Sequence, residues 1–344
     1  MTTSLLRFPF DATPAEGSAT AILDDLVWLR MPLPMDLNHI NLWLLRDGDG
    51  WAVVDSGIDT ESNRSAWEQA FTGIMRGDPL SRVFATHLHP DHVGCAGWLA
   101  ERFGVELWMP REEYMLCRVL VADTGRPAPE EGLAFYRAAG FAEDELASYR
   151  QLFGFFGRYV APLPEAYRRL KEGDRVNIGG HAFEVLIGQG HSPEHACLLD
   201  RERRLLIAGD QLLPSISSNI SVFPTEPRAN PLADWLESLA RFRRDLPDDV
   251  LVLPAHGRPF YGAHERLDEL ARKHRQRLAR LLEFCREPRR AVDTFPALFR
   301  ARITADNLIM ATGEAIAHLN FHRAEGTIVA EADADGVIWY RSIA

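Results

Sequence analysis

The segment Thr86-His87-Leu88-His89-Pro90-Asp91-His92 constrains this chain more than any other, because it places three imidazoles and a carboxylate within six consecutive positions. Only 12 histidines occur in 344 residues. A lone histidine would read as a core or surface residue, whereas this cluster points to metal ligation. The run before it, Arg82-Val83-Phe84-Ala85, has the pattern of a short buried strand, and a helical pattern begins at Asp91 and continues through Gly94, Ala96 and Leu99. The histidines thus lie on a strand-to-helix turn. His87 and His89 can point the same way in an extended loop, while Asp91 and His92 turn onto the helix and face a neighbouring point. Two adjacent metal positions are the expected outcome.

A chain of this length that is 46% hydrophobic can build a substantial core and is expected to form two domains. Its apolar runs fall short of the roughly 20 residues of a membrane span. The opening MTTSLLRFPFDATPAEG lacks a basic stretch followed by an uninterrupted apolar one, so a cytoplasmic location without membrane contact is expected. Cys95, Cys117, Cys197 and Cys285 are scattered without a C-x-x-C pair, which argues against a disulfide framework or a thiolate zinc knuckle and for small buried residues. A net charge of −11 opposes binding to nucleic acid, where Lys and Arg must neutralise phosphates. The stretch from Arg266 to Arg302 is locally basic, with eleven basic and five acidic residues, and reads as a solvated helix face.

Strands are expected at Ala21 to Leu29, His39 to Leu45 and Trp51 to Asp55, the last two joined by the turn Asp47-Gly48-Asp49-Gly50. A helix from Glu61 to Met75 follows. Further short apolar runs at 105–108, 175–178, 182–187, 205–208 and 250–253 alternate with helical patterns such as Pro231 to Arg244, which predicts a two-sheet core with helices outside. Between residues 111 and 170 strands stop, and aromatic, mostly helical sequence takes over, including Tyr114, Tyr136, Phe141 and Tyr149. It is expected to be a helical insertion, either packing as its own core or capping a pocket. A long amphipathic helix starts near His264, a second runs from Leu308 to His322, and a hairpin turned by Asp335-Gly336 closes the chain. That tail looks winged-helix-like and suits a dimer interface or a cover over the core.

Three more pieces place a ligand-capable side chain just after a buried strand: Gly190-His191-Ser192-Pro193-Glu194-His195, Gly209-Asp210 and Pro254-Ala255-His256-Gly257. With H-x-H-x-D-H and Val53-Val54-Asp55-Ser56-Gly57, the series resembles the metallo-β-lactamase superfamily over residues 20 to 262. The resemblance implies an α/β fold, an αββα sandwich with a helical insertion at about 111–170, in a catalytic domain spanning 1–262. A helical, winged-helix-like domain at 263–344 completes the chain. It further implies that His87, His89 and His191 hold one metal, that Asp91, His92 and His256 hold the second, and that Asp210 bridges them. Asp55 would orient a ligand imidazole through its free ring nitrogen, and His195 would support the site or pin its loop. His39, His181, His264, His274, His318 and His322 lie outside every motif and are expected to be structural.

Imidazole and carboxylate ligands without thiolate suit two zinc ions, and iron or manganese also fit. Two dications roughly 3.5 to 4 Å apart can hold a bridging water as hydroxide and polarise a carbonyl oxygen, so no nucleophilic side chain is required. Asp91 and Asp210 would fix that hydroxide. Diiron oxidoreductases of the superfamily commonly carry Glu where His89 stands, which favours hydrolysis. The expected activity is hydrolysis of a small thioester, ester or lactone, with Ser215, Ser217, Ser218 and Asn219 lining the pocket. Alternatives are a single-strand endoribonuclease using the basic 266–302 segment, an iron-dependent persulfide dioxygenase, and a catalytically weak binding protein.

Overall fold

A computed structural model describes residues 6–34 and 37–343. Seven strands form one sheet in chain order: β1 (Ser18–Leu23), β2 (Leu26–Pro32), β3 (His39–Asp47), β4 (Gly50–Val54), β5 (Leu80–Phe84), β6 (Leu107–Pro110) and β7 (Arg168–Leu170). β1 to β4 run antiparallel, and β4 to β7 run parallel through crossover helices. The second sheet contains β8 (Arg175–Ile178), β9 (His181–Gly188), β10 (His195–Asp200), β11 (Leu205–Gly209) and β12 (Leu251–Pro254), in the order β12-β11-β10-β9-β8.

Period-two alternation builds the layers. In β2, Leu26 and Trp28 face the second sheet, where they meet Phe183, Val185, Leu198 and Ile207. Val27 and Leu29 face the other way, onto Trp67 and Phe71 of α1 (Glu61–Thr72). Also outside the first sheet lie α2 (Pro90–Val93), α3 (Ala96–Phe103) and α4 (Arg111–Ala122). The insertion adds the hairpin of α5 (Glu130–Ala139) and α6 (Glu143–Leu152). Leu199 and Leu206 on the outer face of the second sheet pack against Trp235 and Phe242 of α7 (Pro231–Asp245) and Leu267 and Leu270 of α8 (Ala263–Phe284). The expected αββα sandwich is therefore present, and α8 shares one core with the sheet beneath it.

The tail continues with α9 (Phe295–Leu298), α10 (Leu308–Ala324) and the antiparallel hairpin of β13 (Ile328–Ala332) and β14 (Ile338–Ser342). Ala315, Ile316 and Leu319 of α10 join the same cluster as α7 and α8, so the tail covers the core. Among the described residues no helix is long and apolar enough to cross a membrane. Residues 1–5, on which part of the expectation about a leader falls, lie outside the described residues.

The structure adds β10, which no expected strand covered, and differs from the expectations at two further elements, the first helix and β7. The first helix ends at Thr72 and not Met75, because Gly73 leaves the helical region. The insertion's last residues form β7, an edge strand whose pairing with β6 and not its own Arg-Arg-Leu sequence makes it a strand. Its aromatic residues Tyr136, Phe141 and Tyr149 pack together with Leu133 and Leu146 in a small core of their own, and Val292, Leu308 and Ile309 of the tail close that core. They pack as a core of their own, the first of the two readings the sequence allowed.

Candidate metal centre

Because β9, β11 and β12 point the same way, and β4 and β5 run parallel, the turns after all five gather at one edge of the sandwich. Backbone bonds stitch the two sheets there: Ala196 N–H donates to Thr86 C=O at 2.9 Å, and Asn41 N–H to Ala255 C=O at 2.7 Å. The turns bring together His87, His89, Asp91, His92, His191, Asp210 and His256, all seven expected ligands. Their ligand atoms fall into three overlapping groups able to hold an ion: His87, His89 and His191; Asp91, His92 and His256; and His87, His92 and Asp210.

The imidazoles are fixed by what their Nδ1 atoms donate to. His191 Nδ1–H donates to Asn219 C=O at 2.8 Å, and His256 Nδ1–H to His39 C=O at 2.7 Å. His92 Nδ1–H donates to Asp55 Oδ2 at 2.8 Å. Thr86 Oγ1 spends its proton on Asp55 Oδ2, so at 3.0 Å it accepts from His87 Nδ1–H. Each ring is thereby held in the tautomer whose Nε2 lone pair faces the cluster. His89 differs, presenting Nδ1 at 2.8 Å from His87 Nε2.

Those inward atoms lack protein partners. Nε2 of His92, His191 and His256 and Oδ1 of Asp210 are buried without a hydrogen bond, an arrangement that is costly unless a cation fills the space. Asp210 Oδ2 lies 3.4 Å from His191 Nε2 and 3.5 Å from His92 Nε2, while its Oδ1 lies 3.3 Å from His256 Nε2. Asp91 Oδ2 is 3.3 Å from His256 Nε2 and 3.6 Å from His92 Nε2. Atoms bound about 2.0–2.1 Å from one tetrahedral ion stand about 3.3 Å from each other, so the residues present fit a pair of ions with Asp210 between them.

The electrostatics agree. Burial, reinforced by His92 and His89, holds His87 well below the usual imidazole range, and burial with His191 brings His89 down to about 3, so both rings are neutral as ligands must be. Burial disfavours the Asp91 carboxylate, yet His92 and His256 outweigh it and hold Asp91 at about 2. Around His92, burial is likewise outweighed by Asp91, Asp55 and Asp210, which raise it well above its ordinary value. The carboxylates thus favour the cationic form of His92 and, through Asp210 and Asp91, of His256, so a bound ion would take the place of a proton on each ring.

Asp55 carries the support that the sequence suggested. It adopts φ 63° and accepts from Thr86 N–H at 2.8 Å as well as from Thr86 Oγ1 and His92. His195 is fully buried, and its Nε2 accepts the Asp210 N–H at 3.0 Å, fixing the backbone of Asp210. A side chain at Gly209 would meet that ring at 2.6 Å, and the φ there is 49°, which explains a glycine before Asp210. Of the proposed pocket residues, Ser218 donates to Asp210 C=O and Asn219 receives His191, whereas Ser217 turns to His274 at 3.3 Å and Ser215 is exposed.

Two supporting residues escaped the sequence. His39, expected to be structural, supplies the carbonyl for His256, and its Nε2 accepts from Gly257 N–H at 3.1 Å. Glu113 on α4 is fully buried, accepts the Leu88 N–H at 3.0 Å and the Glu194 N–H at 2.7 Å, and is pushed by burial up to about 7. No motif signals either one.

The tail clamps the loop after Asp210. Fully buried Arg266 of α8 donates to Leu213 C=O and Ile216 C=O, both at 2.7 Å, and Glu314 of α10 accepts from Asn219 Nδ2 at 3.0 Å while pairing with Arg277 at 3.1 Å.

Comparison with known proteins matches this architecture. The family description "Metallo-beta-lactamase superfamily" fits residues 35–256, and "Metallo-beta-lactamase-like, C-terminal domain" fits residues 278–343. The crystal structure of a beta-lactamase domain protein from Burkholderia ambifaria is 42% identical and superposes with a TM-score of 0.90, covering 98% of each chain. The acyl-coenzyme A thioesterase MBLAC2 of Gallus gallus is 29% identical over 72% of this chain and 82% of its own. Hydroxyacylglutathione hydrolase GloC of Haemophilus influenzae is 25% identical over 60% of this chain and 79% of its own. The catalytic fold and the tail thus recur together, and the chain belongs to the metallo-β-lactamase superfamily as one of its metallo-hydrolases.

Proposed function

We propose that the chain hydrolyses an acyl thioester of a small carrier thiol at a centre of two divalent cations. The observation that carries this reading is the convergence of the three ligand groups on one buried volume, with Asp210 reaching both sides. His87, His89 and His191 hold one ion in this assignment, Asp91, His92 and His256 the other. Imidazole and carboxylate donors without thiolate favour zinc. Bound there, two dications supply Lewis acidity, acidifying water and polarising a carbonyl oxygen.

The chain's own groups do the remaining work. Asp91 and Asp210, both held ionised, are positioned to accept hydrogen bonds from the attacking water and so to fix its orientation. Asp55 and the carbonyls of His39 and Asn219 keep the imidazoles in register while charge develops. A thiolate leaving group, with a solution pKa of about 8.5, departs with little help from an acid. The loop carrying Ser215, Ser217, Ser218 and Asn219 borders the acyl site in this reading, supported by its contacts to Asp210 and His191. Two relatives bear the names of hydrolases of acyl groups carried on a thiol, coenzyme A in one and glutathione in the other, which supports a thioester over an ester or lactone.

The endoribonuclease alternative depended on the basic 266–302 segment. Arg266 and Arg277 are spent inside the fold, which favours the acyl substrate. Metal analysis combined with a panel of thioesters, esters, lactones, a β-lactam and single-stranded RNA tests the reading. Asp210→Asn should lose roughly a hundredfold or more of thioester turnover and bind fewer ions than wild type. Unchanged thioester turnover in the metal-replete variant, or turnover of RNA in place of thioesters, would overturn it.

A further inference from the structure

Glu113 stands outside the ligand set yet joins the two loops that supply one metal position. Its Oε2 accepts the N–H of Leu88, the residue between His87 and His89. Its Oε1 accepts the N–H of Glu194, three residues beyond His191. The link is returned from the other side. Pro110, at the N-cap of α4, has no side-chain acceptor, and Glu194 Oε2 takes the Glu112 N–H at 2.9 Å in its place. Glu194 Oε1 also faces Arg169 of β7 at 3.5 Å. Glu113 itself is fully buried and, among the described residues, forms no ion pair with Lys or Arg.

A buried carboxylate in such a place is costly, and the two backbone N–H donors, with the Ser192 hydroxyl and the His191 ring beside it, offset only part of the cost. A dication held by His87, His89 and His191 would offset the rest. We propose that Glu113 is a positioning residue for that metal position, its carboxylate bridging the loop of His87 and His89 to the loop of His191. The helical insertion that starts at α4 thereby takes part in building the centre. The inference rests on the proposed assignment of those three histidines as ligands.

Glu113→Gln tests it, because the amide keeps the shape but turns an N–H₂ toward one of the two N–H donors. Glu113→Asp tests it differently, keeping the charge while shortening the reach to one loop. Zinc binding is measured by calorimetry on metal-free protein, and the absorption of the cobalt-substituted protein reports ligand geometry. Wild type should bind two ions. Both variants should keep the wild-type circular dichroism and bind one ion about tenfold or more weakly, with an altered cobalt spectrum. Unchanged affinity and spectrum in Glu113→Gln would overturn the proposal. Wild-type behaviour in Glu113→Asp alone would overturn the bridging role, since charge without reach would then suffice. Loss of folding in both variants would also overturn it, by making Glu113 a structural residue. Failure of wild type to bind ions would instead sink the ligand assignment.

Discussion

Asp55 receives three donors, two from Thr86 and one from His92, and no residue with a single acceptor oxygen can serve all three. Asp55→Asn should therefore loosen the His92 ring and cost about 10- to 100-fold in metal affinity or turnover. Steady-state kinetics with metal titration would show it, and wild-type values would rule the role out. The clustered His and Asp side chains proposed as ligands were legible because local spacing carries them: their turns follow short apolar runs, and a strand end is where a side chain can leave the sheet toward a neighbour. Asp55 was legible for the same reason. Glu113 and His39 were not. Glu113 stands 25 positions from Leu88 and 81 from Glu194, and a glutamate in the first turn of a helix looks like any other dipole-compensating residue. His39 acts through its backbone carbonyl, which no side-chain pattern can announce.

At the scale of elements, α8 reaches back to hold the loop that follows Asp210. Arg266 is 2% exposed, and its removal leaves Leu213 C=O and Ile216 C=O unpaired beneath the helix. Arg266→Met should lower stability by about 3 kcal/mol and expose residues 213–222 to limited proteolysis. Urea denaturation and a digestion time course would check both, and an unchanged midpoint would mean that the loop is held without it. Helices α7, α8 and α10 were readable from their periodic apolar faces or long apolar runs. β10 was not, because the four apolar residues Ala196 to Leu199 between a histidine and an aspartate are ambiguous until the partners β9 and β11 are known. β7 is shorter still and owes its form to the adjacent β6.

Across the whole molecule, the tail and the second sheet share one core, and buried imidazoles tie its stability to pH. Burial, with His318 and Arg277 adding to it, lowers His274 to about 2. Burial also brings His318 to about 4, against a small opposing effect from the Glu314 carbonyl. Both folded values lie below the unfolded value near 6.5, so the unfolded chain takes up protons first as pH falls. The His318 contribution is complete above about pH 6.5 and disappears toward pH 4, on the order of 3 kcal/mol, whereas that of His274 goes on falling toward pH 2. Urea titrations of wild type and His318→Gln should differ in slope by about one proton between pH 6.5 and 4.5. Equal slopes would show that His318 plays no part. The sandwich was readable from alternation of strands and helices, whereas the union of tail and core, with Leu206 of the sheet and Leu267 of α8 in one cluster, is something that only folding creates. The turns that carry the ligands come from both sheets, β5 in the first and β9, β11 and β12 in the second. A growing chain therefore emerges with the His87 to His92 turn well before its counterparts exist, and the sheets must dock before the His and Asp donor groups come together. Ion capture is expected to come last in maturation, as a seal on a finished fold rather than a seed for it.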